Sequence, residues 1–265
     1  MLYLFLFIFG ASIGSFLNVL IDRLPNDESI MGRSHCDHCK RKLAWNDLIP
    51  ILSFFILNRK CQYCKKQLSW FYPVVEFITG VMFILVWVYL PHSFLGQGLV
   101  KLPSAEYLIK FVYLGIISTL ITIFFSDLKY HIIPDQTQIL LFLGSLFLIP
   151  LYGKIQIVFV ERVLAAILVM APIYFLHWLT KGKGMGFGDV KLAFIIGFMF
   201  GIKAGLLVLY FAFISGAIVG MVLMLLKQRG LKSKIAFWPF MVMGIIVMLF
   251  WKDQIFALLQ RVYGF

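Results

Sequence analysis

The sequence predicts an all-α polytopic membrane protein with about eight transmembrane helices and one small extramembrane loop. Two observations predict this class. Of the 265 residues, 62% are hydrophobic and only 14% are charged, whereas soluble domains carry about a quarter charged residues. Several apolar runs also approach or exceed the roughly 18 residues that indicate a membrane-spanning helix. A membrane β-barrel would instead show short alternating segments.

Eight candidate spans account for the apolar runs. The first has no basic stretch before it and no small-residue cleavage site, which predicts a retained helix and not a removed signal peptide. The fourth and sixth are shorter than the ~20 residues that cross a bilayer comfortably, so either can be tilted, re-entrant or buried in the bundle. The spans are 2–21, 72–90, 107–126, 134–151, 158–179, 188–202, 204–226 and 236–251.

Basic residues predict the orientation of these spans. Strict alternation puts four loops on one side, which with their flanks carries 17 of the 24 Lys and Arg residues. The positive-inside rule makes this side cytoplasmic and places both termini outside. The rule also explains the net charge of +12, so we expect membrane lipid and no nucleic acid as a partner. The four loops are 22–71, 127–133, 180–187 and 227–235.

The segment 22–71 contains every cysteine of the chain, as two CxxC pairs. The pairs are "CDHC" (Cys36 and Cys39) and "CQYC" (Cys61 and Cys64). Two such pairs at this spacing are typical of a tetrahedral zinc site. Two disulfides are the alternative, but thiols stay reduced on the cytoplasmic side. We therefore predict a small cytoplasmic zinc-binding loop, with a structural ion because the segment is too small to bury a sufficient core alone.

Two histidines beside the first pair, His35 and His38, are alternative metal ligands. Four cysteines already complete a tetrahedral shell, and such a closed shell has no open position for catalysis. The predicted organisation is a first transmembrane helix (1–21), a cytoplasmic zinc-binding loop (22–71) and a transmembrane bundle (72–265).

Aspartates at the ends of two predicted spans are candidate functional residues. Asp127 ends the third span in "SDLKYHIIPD", and Asp189 begins the sixth in "GMGFGDVKL". Carboxylates at membrane depth are costly and mark function by default. If the helices are neighbours, the two carboxyls can share one proton, so that one activates water and the other protonates a carbonyl oxygen. That chemistry is peptide hydrolysis, and the glycines before Asp189 would let a substrate backbone approach closely.

Simpler interpretations remain for the acidic residues. Asp135 follows a proline at a helix start, so a capping or dipole role explains it and we leave it out of the catalytic pair. Asp189 can likewise be a first-turn acid, and Asp127 an interfacial acid paired with a lysine. Glu76, one turn inside the second span, can begin a helix or orient a ligand. A carboxylate-driven ion or proton-coupled transporter is the alternative function, although transporter acids lie near the midplane of the bilayer.

Five stretches together resemble the type 4 prepilin peptidases, membrane aspartic peptidases with a GxGD motif. Presenilin-like GxGD proteases are similar to this chain only around the GxGD itself and lack the cysteine loop. The resemblance covers nearly the whole chain. The stretches are "GSFLNVLIDRLP" (14–25), "SHCDHCKRKLAWNDLIPILSFF" (34–55), "CQYCKKQLSWFYPVVE" (61–76), "SDLKYHIIPD" (126–135) and "GMGFGDVKL" (184–192).

The resemblance implies a function as well as a site. The family's catalytic pair falls on Asp127 and Asp189, and its cysteine pairs fall on the four cysteines named above. The expected substrate is a prepilin or pseudopilin precursor, cut after its short basic leader at the cytoplasmic face of the bacterial inner membrane. Many members also methylate the new N-terminus with S-adenosylmethionine. The sequence has no glycine-rich fingerprint for that cofactor, so its use is implied by the resemblance alone.

Overall fold

The computed structural model describes residues 1–36, 38–94, 103–149, 155–182, 184–226 and 237–263. Within these ranges the chain is helical, and its only β pairing consists of two isolated bridges. Short 3-10 helices cover Leu24–Asn26 and Trp45–Leu48. The α-helices are α1 (Leu2–Arg23), α2 (Leu52–Ile56), α3 (Phe71–Phe94), α4 (Pro103–Tyr130), α5 (Asp135–Leu148), α6 (Ile155–Leu179), α7 (Phe187–Leu225) and α8 (Trp238–Tyr263).

Six of the described helices are long and apolar enough to cross a membrane, namely α1, α3, α4, α6, α7 and α8. Large apolar side chains on α6, such as Leu164, Ile167 and Leu168, are about half exposed. A row of exposed apolar residues on a span is the pattern that lipid contact produces, because lipid tails are as apolar as leucine. The chain is therefore a multi-pass membrane protein, as the sequence predicts.

The predicted count of eight spans is not confirmed. Helix α5, which replaces the predicted span 134–151, has only 14 residues. The predicted spans 188–202 and 204–226 fall within the single 39-residue helix α7. The predicted loop 227–235, the residue Lys183 and the predicted span ends at 150–151 and 236 lie outside the described residues.

Helix α7 is nevertheless broken at Gly201, where the backbone has φ 80° and ψ −178°. A positive φ is open to glycine without the steric cost that a Cβ would add. Nη1 of Arg162, on α6, donates a hydrogen bond of 3.0 Å to the carbonyl oxygen of Met199, two residues before the break. The Arg162 side chain thus satisfies the backbone carbonyl of Met199 beside the break. The helix is interrupted there without a separate loop.

The chain folds into two compact units. The first consists of Met1–Val88 and Tyr113–Pro134, and the second of Tyr89–Val112 and Asp135–Phe265. The first unit therefore holds α1, the cysteine segment, most of α3 and the larger, C-terminal part of α4. The second holds α5 to α8.

Glycines bring α1 and α3 together in the first unit. A Cβ added at Gly14 would lie 2.7 Å from the Cα of Glu76, and one at Gly10 would lie 2.9 Å from the Cα of Gly80. The two glycines are four residues apart and therefore share one face of α1. Such small residues let helix backbones approach closely where no hydrophobic effect drives helices together in lipid.

The second unit is built on α7. Gly197 faces α6 so closely that a Cβ there would lie 2.6 Å from the carbonyl oxygen of Ala165. On the other side, a Cβ at Gly244 of α8 would lie 2.8 Å from the carbonyl oxygen of Val208. Helix α5 packs on α7 through the rings of Phe142 and Phe198, whose centroids are 4.9 Å apart. The first turn of α7 is thereby held in a well-packed unit.

Candidate active site and metal centre

Asp127 lies in the last turn of α4 and is 4% exposed. The chain turns sharply just after it, because His131 adopts a left-handed conformation with φ 54°. The hydroxyl of Ser126 donates to the carbonyl oxygen of Ile132 at 3.0 Å and closes this turn. The local fold therefore holds a buried carboxyl at the end of a membrane-spanning helix.

Asp189 lies in the first turn of α7 and is 6% exposed. Its Oδ2 accepts a hydrogen bond of 2.8 Å from the backbone N–H of Gly186. A Cβ added at Gly186 would lie 3.6 Å from the same oxygen. The position beside the carboxylate therefore carries no side chain, and the role of the glycines in admitting a substrate backbone stays a prediction. Asp127 belongs to the first compact unit and Asp189 to the second.

The other acids near the two motifs have structural partners. Asp135 is exposed and forms an ion pair of 2.7 Å with Lys191, which agrees with its exclusion from the catalytic pair. Glu76 is buried, and its Oε2 accepts a hydrogen bond of 2.7 Å from the backbone N–H of Ile51. Because Ile51 has a positive φ of 63°, this contact stabilises a strained turn of the cysteine segment.

Asp22 is a polar residue of this unit that the sequence did not single out. It accepts hydrogen bonds from the hydroxyls of Tyr72, at 3.1 Å, and Tyr130, at 3.0 Å. It also forms an ion pair of 2.5 Å with Lys129. The network joins α1, α3 and α4 two residues from Asp127, and no spacing along the chain indicates it.

Each cysteine pair lies in the same kind of tight turn. Next to Cys36, the chain pairs His35 with Lys42, and Lys40 donates to the Cys36 carbonyl. Around the second pair, Lys60 is bridged to Gln67, and the N–H of Lys65 donates to the carbonyl of Cys61. The residue after each second cysteine has a positive φ, 55° at Lys40 and 58° at Lys65. Two equivalent turns thus present their thiols to one another.

All four thiols are free and meet in one cluster. Their sulfur atoms all lie within 4.8 Å of one another, and the Sγ atoms of Cys36 and Cys64 are 3.9 Å apart. Four sulfurs at Zn–S distances near 2.3 Å on a tetrahedron are about 3.8 Å apart. The cluster, Cys36, Cys39, Cys61 and Cys64, can therefore hold a metal ion, and the alternative of two disulfides is wrong for this structure.

Within the cluster, the pKa values of Cys61 and Cys64 shift in opposite directions. Burial opposes ionisation of Cys61, but backbone hydrogen bonds at Cys64 and Tyr63 stabilise its thiolate, and its pKa falls to about 7. A backbone hydrogen bond at Lys66 favours the Cys64 thiolate, but desolvation and the neighbouring thiols outweigh it and raise its pKa to about 11. A thiol whose proton is held this tightly releases it when a cation binds.

The first unit also contains a partly open cavity of about 390 Å³, lined by residues of α1, α3, the end of α4 and the cysteine segment. Asn18, Asp22, Tyr72, Glu76 and Tyr130 are among its lining residues. Asn18 donates from its amide nitrogen to the carbonyl of Tyr72 at 3.2 Å. Its Oδ1 is buried and has no hydrogen-bond partner within the part of the chain that the structure describes. The cavity is thus lined in part by polar and acidic side chains.

Two family models match the chain. The model of the bacterial peptidase A24 N-terminal domain matches residues 8–90, which include the cysteine segment. The model of the type IV leader peptidase family matches residues 114–221, which include both aspartates.

Curated relatives match almost the full length. A prepilin leader peptidase/N-methyltransferase of Aeromonas hydrophila is 30% identical over 278 residues, covering 94% of this chain and 90% of the relative. Proteins with the same name from Bacillus subtilis and Legionella pneumophila are each also 30% identical. They cover 95% and 96% of this chain, and 95% and 93% of the respective relatives. No solved structure matches the chain significantly.

These matches cover the cysteine segment and the two aspartates in one chain. They support a protease and give no support to the alternative of a proton-coupled transporter. With its membrane-spanning helices and a match of this extent, the chain belongs to the type IV leader peptidase family.

Proposed function

We propose that this leader peptidase cleaves prepilin or pseudopilin precursors with Asp127 and Asp189 as its catalytic carboxyls. The observation that carries the proposal is the burial of Asp127 and Asp189 at helix ends, where the two residues are 4% and 6% exposed. Glu76 is the third buried acid among the described residues, and its contact with the backbone of Ile51 ties it to the turn of the cysteine segment. A buried carboxylate in a membrane protein marks a functional site because its burial is costly.

The proposed chemistry is general acid–base catalysis by two carboxyls that share one proton. The ionised carboxyl takes a proton from the attacking water, and the protonated carboxyl donates its proton to the carbonyl oxygen of the scissile bond. The carboxyl that took a proton from water then donates that proton to the departing amine. The Gly186 N–H holds Asp189 in place, and the absence of a side chain on Gly186 leaves room for an extended substrate backbone.

We further propose that the loop 22–71 and both aspartates lie on the cytoplasmic side, as the distribution of basic residues predicts. Helices α5 and α6 lie between the two aspartates along the chain, so this proposal requires the short α5 to cross the membrane together with α6. The first span would then comprise residues 1–21, and the peptidase bundle residues 72–265. A substrate would leave its basic leader in the cytoplasm while its apolar helix enters the membrane. The scissile bond would thereby lie at the depth of the helix ends that carry Asp127 and Asp189.

The metal that we propose for the cysteine cluster is one structural zinc ion. Four thiols within 4.8 Å of one another supply the ligand set that zinc prefers. Zinc bound there would link the two turns and stabilise the segment, which has few buried apolar residues of its own. A shell of four thiolates leaves no position for a substrate, so we give the ion no part in the cleavage step.

The second activity that we propose is N-methylation of the new N-terminus, which the printed names of the relatives carry. The methyl donor, S-adenosylmethionine, bears a positively charged sulfonium group. The acidic residues Asp22 and Glu76 are among the lining residues of the cavity of the first unit, and such acceptors suit a cationic ligand. We therefore propose this cavity as the place where the donor binds.

The test is co-expression of the full chain with a prepilin, followed by mass spectrometry of the pilin N-terminus. Asp127→Asn and Asp189→Asn should each insert normally and abolish cleavage, because asparagine keeps the shape but cannot cycle a proton. The double variant should be little worse than either single variant, since the two carboxyls act as a unit.

Asp135→Asn is the matched control and should keep substantial activity, because Asp135 is exposed and paired with Lys191. Robust cleavage by either single catalytic variant would refute the assignment of the pair. The same spectra report the second activity, because a methylated pilin is heavier than the unmodified one by one methylene group.

A further inference from the structure

His177 of α6 is in contact with the loop that precedes Asp189. Its Nδ1 lies 2.8 Å from the carbonyl oxygen of Met185. A carbonyl oxygen can only accept a hydrogen bond, so Nδ1 carries the hydrogen and donates. The imidazole ring also lies beside the ring of Phe187, with centroids 5.9 Å apart. One side chain of α6 thus touches the residues on both sides of Gly186.

The carbonyl of Met185 and the N–H of Gly186 are the two ends of one peptide group. That N–H donates the 2.8 Å hydrogen bond to Oδ2 of Asp189. Because a peptide group is planar and rigid, a donor that fixes its oxygen also fixes the direction of its N–H. Accepting a hydrogen bond at the oxygen also polarises the group and strengthens the N–H as a donor. His177 therefore acts on Asp189 through a single peptide group.

The end of α6 keeps the imidazole in this position. The N–H of Gly182 donates to the carbonyl of His177 at 2.9 Å, and Lys181 and Gly182 both have positive φ, 50° and 75°. A Cβ added at Gly182 would lie 3.4 Å from Cε1 of His177. The turn that ends α6 thus folds over the ring, and the chain then passes Met185 on its way to α7.

We infer that His177 is a positioning residue for the peptidase, which sets the Asp189 carboxylate through the Met185–Gly186 peptide group. The inference rests on the proposed function, because this contact matters for cleavage only if Asp189 is catalytic. The position of His177 is set by α6, whereas Asp189 belongs to α7. The packing of these two helices, with Gly197 against Ala165, keeps the His177 imidazole close to the loop that carries Met185.

The experiment measures steady-state cleavage of a purified prepilin by the purified full chain in detergent. His177→Leu removes the donor and keeps a side chain of similar bulk. We expect kcat to fall about five- to tenfold, with KM unchanged within about twofold, since one hydrogen bond to a positioned group is lost. His177→Asn should restore most of kcat, because its amide nitrogen can take the place of Nδ1. The matched control, Phe175→Leu, changes an exposed ring on the same helix and should leave both constants unchanged.

Three outcomes would overturn the inference: wild-type kcat in His177→Leu, equal loss in His177→Leu and His177→Asn, or an effect on KM alone. If His177→Leu does not fold, His177→Gln serves in its place, since its longer side chain moves the amide away from the Nδ1 position. Asn should then be active and Gln impaired, and equal activity of the two would refute the inference. Asp189→Asn, measured alongside, separates the inference about His177 from the proposed function. Its inactivity supports the proposed function whatever His177 does, and its normal activity overturns both.

Discussion

At the scale of single residues, polar side chains in the interior form hydrogen bonds and ion pairs with other polar groups. Arg23 shows this at the end of α1, where it is 8% exposed and its guanidinium donates to the backbone carbonyls of Ser29, Met31 and Arg33. Asp22, its neighbour, accepts from Tyr72, Tyr130 and Lys129. A buried charge is tolerated where several such partners satisfy it, and removal of one partner leaves the others unpaired.

The Asp22–Lys129 pair should therefore stabilise the first unit. Both side chains are less than about a third exposed, so solvent screens the pair only in part. We expect Asp22→Asn and Lys129→Met each to destabilise the protein, with a coupling energy of about 1 kcal/mol between them. The measurement is a double-mutant cycle of denaturant unfolding in detergent micelles. Strictly additive effects would show that the ion pair contributes nothing to stability.

At the scale of helices and turns, close backbone contact organises the membrane-spanning part, and two equivalent turns organise the cysteine segment. The contact between α1 and α3 depends on Gly14, where a Cβ would lie 2.7 Å from a backbone atom of α3. Backbone atoms cannot move aside as the tip of a long side chain can. The spacing of Gly10 and Gly14 places both on one face of α1, and the structure identifies α3 as the helix that packs against this face.

Gly14→Ala should accordingly destabilise the first unit by about 1–3 kcal/mol, the usual cost of overpacking a tight contact. Gly115→Ala on α4 is the matched control, because nothing lies within 4 Å of a Cβ added there. The control should be neutral or gain up to about 1 kcal/mol from the lower entropy of the unfolded chain. Denaturant unfolding in detergent compares the two variants, and an equal response would contradict the close-contact argument.

The cysteine cluster should bind one zinc ion per chain, with an affinity that rises with pH. At pH 7 Cys64, with a pKa of about 11, is protonated, and Cys61, with a pKa of about 7, is half ionised. Zinc must displace these protons, so binding at pH 7 should release more than one proton and weaken as the pH falls below 7. Elemental analysis gives the stoichiometry, and calorimetry in buffers of different ionisation enthalpy counts the protons.

His38→Ala tests whether a histidine contributes to the same site. Since the four sulfurs already form a complete ligand set, we expect this variant to keep its zinc. Cys36→Ser should lose zinc affinity and become more sensitive to protease in the cysteine segment. A pH-independent affinity between pH 6 and 8 would contradict the proposed thiolate site.

At the scale of the whole molecule, the chain is a membrane protein in which each of two compact units carries one of the proposed catalytic aspartates. Six helices in the described part of the chain are long and apolar enough to span a bilayer. Their orientation is a separate matter, since the distribution of Lys and Arg is what sets it.

Reporter fusions test this orientation. A fluorescent protein that folds only in the cytoplasm should be active when it is fused after Asn58, because the basic residues of the cysteine segment hold that segment inside. The same reporter fused after residue 152 should be dark, and an alkaline phosphatase fusion at the same site should be active. The reverse pattern would place both aspartates outside and would contradict cleavage at the cytoplasmic face.

The sequence by itself determined the class of the protein, the cysteine cluster and the candidate carboxylates. Composition alone indicates a membrane protein, because a run of about 20 apolar residues is stable as a helix in lipid. The two CxxC pairs are local patterns, and each forms its turn from neighbouring residues. Both Asp127 and Asp189 stand out in sequence because a charged residue beside an apolar run is costly at any fold.

Only the tertiary structure decided how distant residues meet. Arg162 of α6 donates to the Met199 carbonyl of α7, two residues before the break at Gly201, and two predicted spans form one interrupted helix. Asp22 of α1 pairs with Lys129 at the end of α4, and no pattern along the chain predicts that contact. His177 reaches the Met185 carbonyl because the turn after α6 folds back over the ring. Periodicity and composition encode which residues face a helix surface, whereas the partner on the other side depends on packing that the sequence does not show.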